Sequence, residues 1–191
     1  LDLDTALTVE SRGLAYLAVT PEAKNQISTF FFAMNRVNGG ASRPQGVEKY
    51  KTRKVGILGA GMMGQGIAYS SAMAGIEVVL KDISQEAADK GKAYTEKLLA
   101  KRVERGRMTE DQKADILGMI LPTANDKDLQ GCDLIIEAVF ENMELKHQIT
   151  RELEPLLAEG GVWGSNTSTL PITQLAEASE KPANFIGIHF F

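Results

Sequence analysis

The chain has 191 residues, of which 43% are hydrophobic and 24% are charged, and its formal net charge is -4. This composition is typical of a folded globular protein and argues against a disordered chain. The acidic balance disfavours a nucleic-acid partner, and no run of about 18 apolar residues could form a transmembrane segment.

The cysteine content and the two chain ends bear on where the protein acts. A single cysteine, Cys132, excludes an intrachain disulfide and fits a reducing, cytoplasmic compartment. It precedes an apolar run, so we interpret it as a small buried residue rather than a nucleophile. The chain starts without Met or a signal-peptide pattern and ends on a strand-like I-H-F-F sequence. We therefore expect a piece of a longer cytoplasmic protein.

The first 50 residues differ from the rest of the chain. Ile27, Phe30, Phe31 and Met34 recur at helical spacing, which predicts a helix over residues 21–36. Residues 38–46 are rich in Gly, Ser and Pro and are typical of a linker. We place a boundary there, with a helical linker segment over residues 1–50 and a second region over 51–191.

From residue 54 onward, short apolar segments alternate with helical patterns. Such alternation predicts an α/β fold: a Rossmann-type, doubly wound parallel sheet, preceded by the helical linker segment. The segments are apolar on both faces, as buried parallel strands should be. The predicted strands are residues 55–58, 76–80, 120–121, 134–139, 162–165 and 185–188, and the predicted helices are residues 62–74, 84–105, from 109 onward, 142–158 and 171–178.

A glycine motif, G-A-G-M-M-G, joins the first of these strands to a helix. Alone the pattern is weak, but its place between a strand and a helix is the context of a dinucleotide-binding loop. The first glycine would permit the tight turn, the second a close approach to pyrophosphate, and the third close packing of helix on sheet. The predicted cofactor-binding residues of this loop are Gly59, Gly61, Met62, Met63 and Gly64, with the methionine side chains expected to pack as apolar groups.

Asp82 follows the next strand and predicts which dinucleotide binds. A carboxylate there accepts hydrogen bonds from the adenosine ribose and repels a 2′-phosphate, so we expect NAD rather than NADP. Strand alternation is expected to turn the adjacent Lys81 to the other face. FAD shares the glycine fingerprint, but the later motifs favour hydride transfer to a nicotinamide.

Polar residues also follow three later strands, at the edge of the sheet where ligands bind. They are Glu141, the segment 166–169 and His189. An imidazole can take a hydroxyl proton while hydride leaves carbon, and a Ser or Asn can hold the oxygen. From these residues alone, segment 166–169 could instead cap the next helix, and His189 could be an ordinary core or strand-end residue.

Four motifs together resemble the 3-hydroxyacyl-CoA dehydrogenase family over about residues 53–191. They are the glycine loop, E-A-V-F-E-N at residues 137–142, N-T-S-T at 166–169 and H-F-F at 189–191. The resemblance implies that His189 is the catalytic base and that Ser168 contacts the substrate. It also implies that Ala138, Glu141, Lys146 and Asn166 lie near the cofactor, and no metal site is expected.

The same resemblance implies NAD-dependent oxidation of L-3-hydroxyacyl-CoA in fatty-acid β-oxidation. Residues 1–50 look like the end of a hydratase region in a multifunctional alpha subunit, whose partner would be a thiolase beta subunit. The family's Glu and Asn partners and its helical second domain would lie beyond Phe191. We therefore expect this fragment to bind NAD, to turn over slowly or not at all, and to self-associate through uncovered apolar surface.

Two other interpretations stay open. One is a dehydrogenase of the 3-hydroxyisobutyrate or 6-phosphogluconate type, which shares a Met after the glycines but uses a Lys base and lacks H-F-F. The other is a non-catalytic nucleotide-binding or interaction module.

Overall fold

The computed structural model describes residues 2–43, 46 and 50–190 and divides the chain into two units, residues 1–50 and 51–191. Pro44 and Gln45 of the predicted linker and Phe191 of the last motif lie outside the described residues. Within the described ranges, no helix is long and apolar enough to cross a membrane.

The first unit is helical, which confirms the predicted helical segment. Its first helix, α1, was not predicted; it begins where the Asp2 side chain accepts the Thr5 N–H at 2.8 Å, a helix cap. The predicted helix over residues 21–36 is present, but its middle adopts π-helical geometry. None of the described residues in these helices is buried. The elements are α1 (Leu3–Ala18), α2 (Pro21–Gln26), a π-helical segment (Ile27–Ala33) and α3 (Met34–Asn38).

The second unit is built on a six-stranded parallel sheet. The strand order is β3-β2-β1-β4-β5-β6, so the order reverses at β1 and the chain crosses from one half of the sheet to the other between β3 and β4. This is the predicted doubly wound Rossmann topology, whose ligand site lies at the reversal point. The strands are β1 (Lys54–Leu58), β2 (Glu77–Lys81), β3 (Ile120–Thr123), β4 (Cys132–Glu137), β5 (Leu157–Ser165) and β6 (Phe185–Gly187).

Helices connect the strands, and local capping explains where several begin. Ser84 accepts the Ala87 N–H at the start of α5, and Thr109 and Gln112 form a reciprocal capping box at the start of α6, the helix predicted from residue 109 onward. The helices are α4 (Met62–Met73), α5 (Gln85–Glu104), α6 (Glu110–Gly118), α7 (Met143–Leu153) and α8 (Ile172–Ala176).

Two apolar clusters pack on opposite faces of the sheet, as strand alternation requires. One contains Val55 and Ile57 of β1 and packs against α4, and the other contains Leu58, Cys132 and Trp163. Cys132 is fully buried, which confirms its interpretation as a core residue. Burial on both faces places the polar residues that follow the strands at the carboxyl edge of the sheet.

One predicted helix was too long. Residues 142–158 were expected to form a single helix, but α7 ends at Leu153 and β5 already begins at Leu157. Pro155 explains the early end, because it lacks the N–H that an α-helix needs at that position. The strand instead runs through Gly160 and Gly161, beside a register shift against β4.

Candidate cofactor and catalytic site

The turn after β1 depends on Gly59. Its φ of 93° lies in the left-handed region, and a Cβ built there would come within 2.7 Å of the carbonyl oxygen of Ala138. Its N–H donates to the Lys81 carbonyl at 2.8 Å, which ties the turn to β2. The Ala138 N–H in turn donates to the Leu58 carbonyl at 2.9 Å, so Ala138 forms the floor of the turn.

The other two glycines serve the start of α4. A Cβ on Gly64 would lie 1.7 Å from the Gly59 carbonyl oxygen, so only glycine lets the helix approach the strand this closely. Nothing lies within 4 Å of the position a Cβ on Gly61 would take, and no side chain caps the helix there. Met62 is 79% exposed, whereas Met63 packs against the core. The N-terminus of α4 is therefore open to a ligand.

Asp82 is held beside this glycine turn. Its Oδ2 accepts the Ala60 N–H at 2.6 Å, and its Oδ1 accepts the Ile83 N–H at 2.7 Å. Each carboxylate oxygen keeps lone-pair capacity for another donor. Asp82 also lines a cavity that we call the Asp82 cavity; its walls are Leu58, Gly59, Lys81, Asp82, Ile83, Asp126, Val139, Ile149, Glu152 and Leu153.

Lys81 is not turned away from Asp82 as strand alternation predicted, since both residues line this cavity. The reason is that β2 ends at Lys81, so the alternation rule does not extend to Asp82. The Nζ of Lys81 pairs with Asp126 Oδ1 at 2.9 Å.

A buried ion pair lies beneath the carboxyl edge of the sheet, next to the N-T-S-T loop. Glu137 ends β4, Lys146 lies on α7, and the Nζ and Oε1 atoms of the pair are 2.6 Å apart. The Ser165 hydroxyl donates to the other carboxylate oxygen of Glu137 at 2.8 Å, and the Val139 N–H donates to Oε1 at 2.9 Å. The buried charge of Glu137 is thus compensated by a cation and two further donors.

Glu141 links this pair to the N-T-S-T loop. Its Oε2 lies 3.2 Å from Lys146 Nζ, while its Oε1 accepts the backbone N–H groups of Ser168 at 3.0 Å and Thr169 at 3.1 Å. The Thr167 hydroxyl donates to the same oxygen. Burial raises the pKa of Glu141, but these hydrogen bonds and the Lys146 charge outweigh it and lower the pKa to about 2.

The loop places Ser168 against His189. The Ser168 Oγ and His189 Nε2 atoms are 2.9 Å apart. The Asn166 side-chain oxygen accepts the Phe190 N–H at 3.0 Å, which fastens the segment after β6 to the loop after β5. Phe190 and Met63 both pack against the core cluster that contains Ile57, and together they line a pocket at the start of α4. The structure thereby gathers the residues predicted from three separate strand ends.

Two polar residues were not predicted to act at this site: Glu137 and Ser165. Both end apolar strands, so the sequence pattern does not mark them as site residues. Lys146, predicted near the cofactor, has its amine enclosed between two carboxylates and acts on the loop through Glu141. Its contact with a cofactor stays a prediction.

Comparison with known proteins identifies the family. The family model described as the 3-hydroxyacyl-CoA dehydrogenase NAD-binding domain matches residues 54–191 of this chain. The chain belongs to this family. It carries the family's NAD-binding domain, and the glycine turn, the Asp82 cavity and the Ser168–His189 contact all lie inside the matched range.

Individual proteins and solved structures are also similar to this chain. The fatty acid oxidation complex subunit alpha of Psychrobacter arcticus is 39% identical over 191 residues, all of this chain but 26% of that protein. The crystal structure of (S)-3-hydroxybutyryl-CoA dehydrogenase from Ralstonia eutropha is 40% identical, with a TM-score of 0.70, over 74% of this chain and 50% of that one. The 3-hydroxybutyryl-CoA dehydrogenase of Escherichia coli is 32% identical, with a TM-score of 0.71, over 74% and 30%. The chain thus spans about a quarter of the length of the curated relatives it matches.

Proposed function

We propose that this chain supplies the cofactor site and the catalytic base of a dehydrogenase that oxidises L-3-hydroxyacyl-CoA to 3-oxoacyl-CoA with NAD. The observation that carries the proposal is the 2.9 Å contact between Ser168 Oγ and His189 Nε2, at the strand edge where a Rossmann sheet binds its ligand. The names of the matched relatives supply the substrate class.

The glycine turn fits the dinucleotide. The open space at Gly61 and the uncapped start of α4 leave N–H groups free to bind pyrophosphate. Two backbone donors hold Asp82 in place, so its remaining lone pairs can accept the adenosine ribose hydroxyls. We place the adenosine in the Asp82 cavity, between Ile83 and Val139. NAD, when bound, accepts the hydride.

His189 and Ser168 act on the substrate hydroxyl. We assign His189 Nε2 as the base that takes the hydroxyl proton while the C3 hydrogen leaves as hydride and the carbon–oxygen double bond forms. In the structure the Ser168 hydroxyl is within hydrogen-bond distance of that nitrogen. When substrate binds, the hydroxyl can donate its hydrogen bond to the substrate oxygen. In this role it positions the hydroxyl and stabilises charge on the oxygen.

The ionic cluster positions this pair. Four donors from residues 167–169 converge on one oxygen of Glu141, and Lys146 anchors the other. The loop that carries Ser168 is thereby fixed to α7. A fixed loop matters because a misplacement of about 1 Å at a reacting group can cost about 100-fold in rate.

We infer that the activity belongs to a larger protein. Relatives matched over the whole chain are named fatty acid oxidation complex subunit alpha, and the chain covers 26% of them. Residues 1–50 would then form the end of a preceding hydratase-like region. The partner of the larger protein would be a thiolase subunit. The 191-residue chain alone should bind NAD but oxidise substrate more slowly than a full-length relative, because less of the acyl-CoA is held.

The proposal is tested by following NADH formation from NAD and (S)-3-hydroxybutyryl-CoA. We expect slow, substrate-dependent NADH formation by the chain. His189→Gln should lower the rate by about 100-fold or more, since a positioned base contributes at least that much. Ser168→Ala should lower it by about 10- to 100-fold through loss of the donor to the substrate oxygen.

The only other histidine in the sequence provides a matched control. His147 lies on α7, and its Nε2 is 2.8 Å from the Gln174 carbonyl oxygen, away from the Ser168 contact. His147→Gln should keep the wild-type rate, and all three variants should still bind NADH. A His189→Gln rate equal to that of wild type would refute the assignment of the base.

A further inference from the structure

The Asp82 cavity has an unbalanced charge. Among the residues that the structure describes, its walls carry three carboxylates, Asp82, Asp126 and Glu152, and one basic residue, Lys81. If the adenosine ribose binds beside Asp82, as proposed above, these charges decide whether a 2′-phosphate is tolerated. In Rossmann domains the acid after β2 disfavours the 2′-phosphate of NADP. This cavity also contains Asp126, an acid from the turn that follows β3.

Lys81 is placed where a phosphate-binding cation would be needed. It ends β2, directly before Asp82, and its side chain is only 17% exposed. A basic residue near this point is what accommodates the 2′-phosphate of NADP in Rossmann domains. Lys81 would therefore offset the selectivity that Asp82 provides, unless its charge were neutralised.

Asp126 supplies that neutralisation. It begins the 3₁₀ turn after β3, and β3 pairs with β2 so that Thr123 lies opposite Lys81. The side chain of Asn125 caps the turn by accepting the Lys127 N–H. The turn thus presents the Asp126 carboxylate to Lys81, with Oδ1 and Nζ 2.9 Å apart.

We propose that Asp126 is a specificity-determining residue for the cofactor: it pairs with Lys81 and so keeps this cation from binding a 2′-phosphate. The selectivity for NAD then has two parts. Asp82 repels the phosphate directly, and Asp126 neutralises Lys81, the basic residue in the wall of this cavity. This inference rests on the proposed position of the ribose at Asp82.

The test compares NADH and NADPH dissociation constants by fluorescence titration at low ionic strength. Asp126→Asn should improve NADPH binding relative to NADH by about three- to fivefold, the usual size of a partly exposed charge effect. The gain should shrink at high salt, because a screened Lys81 attracts the phosphate less. Adding Lys81→Met to Asp126→Asn should remove the gain.

A matched control separates local from global charge. Glu96 is an exposed acid on α5 that does not line the cavity, and Glu96→Gln changes the net charge by the same amount. It should leave the NADPH-to-NADH ratio unchanged. An equal effect of Asp126→Asn on both cofactors, or a gain that survives Lys81→Met, would overturn the proposal.

Asp82→Asn distinguishes failure of this inference from failure of the site assignment. If Asp82→Asn changes the ratio and Asp126→Asn does not, the role of Asp126 is refuted while the ribose position stands. If Asp82→Asn leaves both affinities unchanged, the ribose does not bind there, and the proposal falls with that assignment.

Discussion

Lys146 and Glu137 form an ion pair with 2.6 Å between Nζ and Oε1, and both side chains are buried, at 2% and 1% exposure. Burying two charges costs desolvation free energy. The pair is compatible with a stable fold only when hydrogen bonds from neighbouring groups complete the coordination of its polar atoms. Here the Ser165 hydroxyl donates to Glu137, and Glu141 forms a second ion pair with Lys146. Glu141 also accepts the backbone N–H of Ser168 and so holds the loop that contains this residue. The pair therefore connects the core of the sheet to the loop that carries Ser168.

Removing the cation should be costly. Lys146→Met leaves Glu137 buried without its counter-charge, and we expect the free energy of unfolding to fall by about 3–5 kcal/mol in urea denaturation. Adding Glu137→Gln to Lys146→Met removes the orphaned charge, so the double variant should cost clearly less than the two single variants added together. Strictly additive losses would show that the two residues do not act as a pair.

The ionisation of Glu141 should appear in the pH dependence of stability. Burial raises its pKa, but hydrogen bonds from Thr167 and Thr169 and the Lys146 charge lower it to about 2, against 4.5 ordinarily. At pH values between about 2 and 4.5, the Glu141 side chain is protonated in the unfolded chain but ionised in the folded protein. The stabilisation from the Glu141 carboxylate is therefore complete above pH of about 4.5 and is lost as the pH falls toward about 2.

Glu141→Gln tests this directly. Its deficit in free energy of unfolding relative to wild type should be largest near pH 6 and should shrink as the pH falls through 4 and 3. Glu159→Gln, at an exposed position of β5, should show no comparable trend. A Glu141→Gln deficit that is constant over this range would contradict the lowered pKa.

The thiol of Cys132 should be inert in the folded protein. Burial raises its pKa to about 11, with smaller opposed effects from Lys54 and Asp133, and its side chain packs in the core near Gly56. At pH 8 the thiol is neutral and inaccessible, so a thiol reagent should label it only as fast as the protein unfolds. Immediate labelling of the native chain would be the opposite result.

The third glycine of the motif can be tested against a neighbour in the same helix. Gly64→Ala would put a methyl group 1.7 Å from the Gly59 carbonyl oxygen, so the helix must move away from the turn. We expect lower stability and loss of NADH binding. The methyl group added by Gly66→Ala would have no heavy atom within 4 Å, so this variant should be more stable than wild type by about 0.5–1 kcal/mol. Equal behaviour of the two variants would count against the role of Gly64.

All six strands of the sheet could be predicted from the sequence, with ends shifted by a few residues. Buried parallel strands are continuous apolar runs, and glycines and capping residues such as Ser84 mark the helix ends locally. The predicted helix over residues 142–158 runs too far because Pro155 ends α7 at Leu153, before the next strand begins. Helix α1 was not predicted, although Leu3, Leu7, Leu14 and Leu17 recur at helical spacing, and the structure buries none of its residues.

The site was only partly predictable. The motifs predicted Asp82, Ser168 and His189 as site residues, since each follows a strand and bears a group suited to the chemistry, and the structure places Ser168 against His189. They did not show that Glu137 and Lys146 would pair, because that contact joins a strand to a helix through tertiary packing. The pairing of Lys81 with Asp126 was also not predicted, since it joins the end of β2 to the turn after β3 and depends on the pairing of these two strands.

The central claim is that this chain moves a hydride from C3 of a 3-hydroxyacyl-CoA to NAD. The most direct measurement is a long incubation of the chain with NAD and (S)-3-hydroxybutyryl-CoA deuterated at C3, followed by mass spectrometry of the nicotinamide product. The account predicts NADH that carries one deuterium on the nicotinamide ring, and no such product from His189→Gln. Folded chain that binds NADH but yields no deuterated NADH would contradict it.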